Sequence, residues 1–180
     1  MEKKFELTDN FIINAFGVKL FQIKCTKSFK YAKEGDLGGY VEKDENLDQE
    51  SDAWVSGNAE VSGNAEVYGN AWVSGNARVS GNAEVYGNAE VYGNARVSGD
   101  AEIDNNNKHC GFDCFGSANR HTHAYLTKEN KVEITCGCFR GSIEEFEKRV
   151  EETHSGTIYE KQYKAIIDVI KIKFGLTDLI

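Results

Sequence analysis

The chain contains no proline, so every reversal must be made by residues that adopt turn or left-handed angles unaided, here glycine, asparagine, aspartate or lysine. It lacks any apolar run long enough for a membrane span, and its N-terminus does not read as a signal peptide. Five cysteines, an odd number without a secretory leader, point to reduced thiols in the cytoplasm. Positive charge is scarce where it would matter for nucleic acid. Residues 52–105 hold two basic groups against eight acidic ones, and so carry −6 of the net −8. A surface of that sign does not follow a phosphate backbone. The same stretch has no histidine.

What that stretch does contain is one six-residue phrase repeated nine times, from Asp52-Ala53-Trp54-Val55-Ser56-Gly57 to Asp100-Ala101-Glu102-Ile103-Asp104-Asn105. A period of six is too short for a helical repeat and marks a parallel β-helix. Within each short strand Ala and Val point to one side and their neighbours to the other. Ala and Val therefore line the interior, while the variable and Ser/Tyr positions face out. Gly-Asn makes the corner, because both tolerate left-handed backbone angles. The phrase resembles that of left-handed hexapeptide β-helix proteins, in which three hexapeptides close a triangular coil. The expected fold is therefore mainly β: a left-handed parallel β-helix of about three regular coils, with an N-terminal β cap and a small C-terminal α+β unit. The expected divisions are 1–51, 52–105 and 106–180.

Solenoid ends need caps. Val18–Cys25 reads as a strand with Phe11-Ile12-Ile13 as partner, and Asp36–Val41 enters a degenerate first coil that includes Leu47. Beyond a linker at Asn105–Lys108, residues 120–127 and 131–138 read as a hairpin. Ser142 and Glu145 have the spacing of a helix capping box, and a second helix over 157–174 buries Tyr159, Tyr163, Ile166, Ile170 and Phe174. In this tail Gly116-Ser117, Arg120, Cys136-Gly137-Cys138-Phe139, Gly141–Glu147 and Glu152-Thr153-His154, like Gly35–Val41 earlier, resemble hexapeptide proteins of bacteriophages and prophages. The resemblance implies a bacterial host cell and a non-enzymatic protein that binds or inhibits a host protein or ligand through an oligomeric β-helix scaffold. It also implies a homotrimer; no cofactor is expected, and the acidic prism and the lack of an apolar span speak against nucleic acid and membrane as partners.

Columns of residues 18 apart give the outer surface a pattern. Trp54 and Trp72 share one face, Glu60, Arg78 and Arg96 a second, and Glu66, Glu84 and Glu102 a third, beside Tyr68 and Tyr86. Stacked tryptophans need cover from the cap or tail, from a subunit or partner, or from a ligand. The glutamate column is either a solvated ladder or a surface for basic groups, Arg78 and Arg96 of another subunit among them. In the tail Arg120, His121, His123 and Tyr125, with Arg140 near the capped helix, are candidates for an anion site, although strand alternation puts Arg120 on the opposite face. Cys110, Cys114, Cys136 and Cys138 lack the usual zinc-knuckle spacing, so no metal is expected. Hexapeptide acyltransferases need a histidine base and acetyl-CoA; His109 is the one candidate near the coils. That enzyme, and a phage protein sequestering a nucleotide signal, are the alternatives.

Overall fold

A computed structural model describes residues 3–176. Two compact units divide between Asn106 and Asn107. The first begins with an antiparallel hairpin, β1 (Phe5–Ile13) and β2 (Lys19–Cys25). Its turn is made by Asn14, whose side-chain oxygen accepts from the Phe16 and Val18 amides at 2.9 and 3.0 Å. The strand β3 (Leu37–Val41) pairs antiparallel with β2 and parallel with the first coil. Lys4 ties the start of β1 to the coil entrance, donating from Nζ to the carbonyls of Ser51 and Ala53 at 2.7 Å each.

Nine two-residue strands follow at six-residue intervals. They are β4 (Trp54–Val55), β5 (Glu60–Val61), β6 (Glu66–Val67), β7 (Trp72–Val73), β8 (Arg78–Val79), β9 (Glu84–Val85), β10 (Glu90–Val91), β11 (Arg96–Val97) and β12 (Glu102–Ile103). They stack as three parallel faces, β4-β7-β10, β5-β8-β11 and β6-β9-β12, forming a parallel β-solenoid. Each coil hydrogen-bonds to the next through its backbone: Trp54 N–H donates to Ala71 O at 3.0 Å and Ser56 N–H to Val73 O at 2.9 Å. All nine inward alanines and all the inward valines, with Ile103, are buried. Each Val contributes about 1.5–3 kcal/mol from that burial.

The corners explain the glycines. Gly81 has φ 74°, and a Cβ there would lie 2.8 Å from the Gly99 nitrogen one coil on. Beside them the asparagine amides form a ladder, with Asn58 donating to Asn76 at 3.2 Å and Asn82 to Asp100 at 3.1 Å.

An irregular coil precedes the regular three. Tyr40 pairs with Glu60 and Leu47 with Val67, an offset of 20 rather than 18. The step from Val41 to Leu47 matches that from Val61 to Val67, so the extra residues fall between Leu47 and β4. The 3₁₀ turn at Asp44–Asn46 ties this coil to the next, its Asn46 amide donating to Gly63 O and Ala65 O at 3.1 and 2.8 Å. The cap thus runs into the coils without a break, and β1-β2-β3-β5-β8-β11 is one sheet.

The second unit is a four-stranded antiparallel meander, β13 (His109–Phe115), β14 (Arg120–Leu126), β15 (Val132–Cys136) and β16 (Phe139–Ser142). Two helices, α1 (Ile143–His154) and α2 (Ile158–Lys173), complete it. Ala124, Ile134, Phe146, Val150, Ile166 and Ile170 form the core between sheet and helices. The capping box at Ser142 is formed, with Ser142 and Glu145 each accepting from the other's amide. The sheet is twice the width of the expected hairpin. β13 escaped notice because Gly111 interrupts its alternation and a bulge around Cys114, at φ 64°, shifts its register. No helix among the described residues is long and apolar enough to cross a membrane.

The junction of cap and coils is tight at Gly39, where a Cβ would meet Ala59 O at 2.7 Å and Val55 Cγ1 at 2.8 Å. Neither the ladder backbone nor a buried valine can yield. Gly39→Ala is expected to lower stability by about 1–3 kcal/mol in urea unfolding. An unchanged midpoint would mean that the junction is slack.

Candidate functional site

The chain itself covers part of the tryptophan face. Trp54 is buried under the edge of Phe29, with ring centroids 5.4 Å apart. Tyr31 stacks on Trp72 at 5.8 Å and 12°, and is anchored by its hydroxyl donating to Asn70 O at 3.0 Å. Trp72 Nε1 donates to Ser56 Oγ at 2.9 Å, leaving the ring 37% exposed. Of the covers expected for the stacked tryptophans, the cap supplies one: the segment between β2 and β3 lies over Trp54 and stacks on Trp72. The rings that do so, Phe29 and Tyr31, lie outside any repeat.

On the second face Arg78 donates from Nε to Glu60 Oε1 at 3.2 Å, so this arginine already has a carboxylate one coil away in its own chain. Arg96 stacks in register beside it. The third face resolves the glutamate column. Tyr68 and Tyr86 stack with centroids 4.9 Å apart and planes within 7°. Tyr68 donates to Glu84 at 2.9 Å and Tyr86 to Glu102 at 2.6 Å. Each hydroxyl reaches 16 residues along, diagonally across the coil step, and spreads the carboxylate charge into a hydrogen bond. Beside Glu66 lies an open hollow of about 600 Å³ that is also bordered by Asp44, Glu45, Asp48 and Glu50. This face is a rigid acidic surface.

In the C-terminal unit the five ligand candidates separate. His121, His123 and Tyr125 alternate along one side of β14, and Arg140 lies on that side through its register with Thr135 opposite His123. Arg120 lies on the helix side instead. Much of the polar side is paired within itself. His109 Nδ1 is 3.0 Å from His123 Nε2, His121 Nδ1 is 2.7 Å from Asp113, and Arg140 binds the Glu133 carboxylate through Nε and Nη2. The α1 N-terminus is occupied by its own acids: Glu145 accepts from Ser142 N–H at 2.9 Å and Glu144 from the Ser142 hydroxyl at 2.7 Å. One anion site built from all five residues is therefore ruled out by strand alternation.

The cysteines do not converge either. Cys110 and Cys136 face the helices, and burial pushes the Cys110 thiol up to about 11. Cys114 and Cys138 are exposed, and all are free thiols. Among the described residues no group of three or more His, Cys, Asp or Glu side chains is placed to hold a metal ion. His109 lies buried within β13.

Arg120 instead borders a cavity of about 270 Å³ on the helix side, shared with Phe139 at the start of β16, Phe146 and Arg149 of α1, and Tyr163 of α2. Tyr163 was legible only as a core residue; its hydroxyl marks the cavity. That feature has no signature in helical periodicity.

With the fold in view, the chain shows likeness to one family, described as YdcK Beta solenoid repeat, over residues 71–87. The match spans nearly one coil and concerns the repeat alone. No curated protein matches the sequence.

The tyrosine ladder has a measurable consequence. The bond to Glu102 is the main cause that pushes the Tyr86 phenol up to about 12, with burial second. An acid that holds its proton more tightly when folded stabilises fully below its unfolded value, near 10, and loses that contribution as pH rises towards 12. The stability advantage of the native protein over Tyr86→Phe should therefore shrink across that window, followed by denaturant unfolding at successive pH values. A constant difference would remove the ladder's role.

Proposed function

We propose that the chain is a non-enzymatic binding protein of the phage or prophage type, acting in the bacterial cytoplasm as a homo-oligomer that engages a host protein or ligand. Its coils are left-handed, as in the hexapeptide proteins it resembles, and its assembly is a trimer. In this reading the solenoid is a stiff acidic scaffold and the C-terminal unit makes both the self-association and the specific contact.

The observation that supports it is a second apolar stripe on α2. One face of this helix, with Tyr163, Ile166, Ile167 and Ile170, is spent on the core. A different face carries Ile158, Ala165, Val169 and Ile172, and all of these are exposed. Within the helix, positions 158, 162, 165, 169 and 172 alternate in steps of four and three, the spacing of a coiled-coil seam, with Gln162 as its polar member. The occupant this seam fits is a second copy of the same helix. Asp168 flanks it on one side and Lys173 on the other, five residues apart, the spacing at which parallel helices exchange flanking charges. A cyclic arrangement repeats that contact at every interface.

The acyltransferase alternative would use His109 as base, and that imidazole is engaged with His123 inside the sheet. Neither it nor the nucleotide-sequestering alternative has a geometric feature in its favour. Thermal shifts with acetyl-CoA or cyclic nucleotides would restore them.

Light scattering tests the main reading. The native protein is expected at a multiple of the single-chain mass, and Val169→Glu combined with Ile172→Glu at the single-chain mass with an unchanged circular-dichroism spectrum. A monomeric native protein, or an oligomer indifferent to both substitutions, would overturn it.

A further inference from the structure

We propose that the cavity between the β15–β16 turn and the two helices binds a small organic anion, a single planar ring bearing one carboxylate or phosphate. At about 270 Å³ it is just below the ~300–1,000 Å³ of drug-sized sites, which suits one ring better than a nucleotide.

Its charge is one-sided. Arg120 enters from the start of β14, and Arg149 and His154 come from α1; no aspartate or glutamate is among its lining residues. Arginine presents the planar fork that matches a carboxylate or phosphate. Arg120 can lie across the turn because residue 137 is glycine: a Cβ there would sit 2.7 Å from its Nη1. That glycine, at φ 62°, also opens the two-residue turn between the paired Cys136 and Phe139.

Rings form much of the remaining wall, beside Cys136, Cys138, Val150 and Thr153. Phe146 meets Tyr163 edge-on at 5.5 Å and 83°, Phe139 lies 5.1 Å from Phe146, and His154 stacks on Tyr163 at 5.5 Å and 27°. These rings offer both faces and edges to a planar guest.

The hydroxyl of Tyr163 supplies the third feature. The residue is 5% exposed, and its oxygen has a weak partner, the Cys136 sulfur 3.8 Å away. A buried hydroxyl normally holds a stronger partner. Burial first, then the neighbouring Cys136 thiol, pushes this phenol up to about 12, so it is a donor at neutral pH. A methyl group at Gly116 would overlap the hydroxyl, so this glycine also makes room for the site. Two arginines and one phenol donor line the same cavity from three separate elements, β14, α1 and α2.

The proposal rests on the binding-protein reading for its purpose but not on self-association, and the two fail separately. Isothermal titration of the full-length protein with benzoate and with phenyl phosphate is expected to show one site per chain. The tighter of the two identifies the acid group. Arg120→Gln and Arg149→Gln should each weaken binding about 10-fold, and Tyr163→Phe about 5-fold. Arg149 is exposed, so its substitution leaves the fold intact even if Arg120→Gln does not. The proposal is overturned if neither anion gives saturable heat, if neutral benzamide binds as tightly, or if Arg149→Gln has no effect. Inorganic phosphate binding as tightly as phenyl phosphate would equally remove the aromatic slot.

Discussion

The 18-residue register between coils is the constraint on which the first unit depends. Each short strand donates its amides to the coil beyond, so no strand is satisfied alone and every residue acquires a neighbour 18 positions away. Inside, that neighbour is another alanine or valine, and the interior closes without polar atoms. Outside, it is whatever the variable position supplies, and a mismatch is repeated at every step. Glu66, Glu84 and Glu102 would repel by roughly 1 kcal/mol per pair in water at this spacing. The tyrosine column relieves the problem by giving Glu84 and Glu102 hydroxyl donors, and the same stacking that creates the repulsion aligns Tyr68 with Tyr86.

A register of this kind has no natural end. At the N-terminal side the chain solves this by turning the last parallel strand into part of an antiparallel hairpin sheet, so β3 serves both patterns. The tight contacts of Gly39, the buried Asn46 and the Lys4 bonds to Ser51 and Ala53 all lie where one pattern becomes the other. The C-terminal unit obeys different physics. It has its own core between a meander and two helices, and its polar groups are placed by strand alternation and helix faces instead of by an 18-residue column. Division of labour follows: the solenoid offers one acidic face beside a mixed one, and the second unit offers a cationic cavity and an exposed helix face.

Much of this was legible residue by residue. Inward Ala and Val, the Gly-Asn corners, the β1–β2 partners, Leu47 in an irregular coil and the Ser142–Glu145 box each follow from short-range periodicity or capping chemistry. Strand alternation alone separated Arg120 from His121, His123 and Tyr125. Less visible were the cover over Trp54, the outer strands of the C-terminal sheet and the cavity at Tyr163. Phe29 and Tyr31 reach the tryptophans from a loop, β13 is interrupted by Gly111 and a bulge, and Tyr163 has the spacing of an ordinary core residue.

The sequence by itself determined the solenoid, because its repeat makes every contact a copy of one local rule. It also determined the columns of charge and aromatic rings, which need only the period. Only the tertiary structure decided which columns stay open. A loop covers part of the tryptophan face, tyrosine hydroxyls engage the glutamates, and α2 keeps a second apolar face outside the core. The physical reason is the range of the contacts. A repeat encodes neighbours at a fixed distance along the chain, whereas a loop laid over a face or a cavity between turn and helix is chosen by packing among segments that share no period.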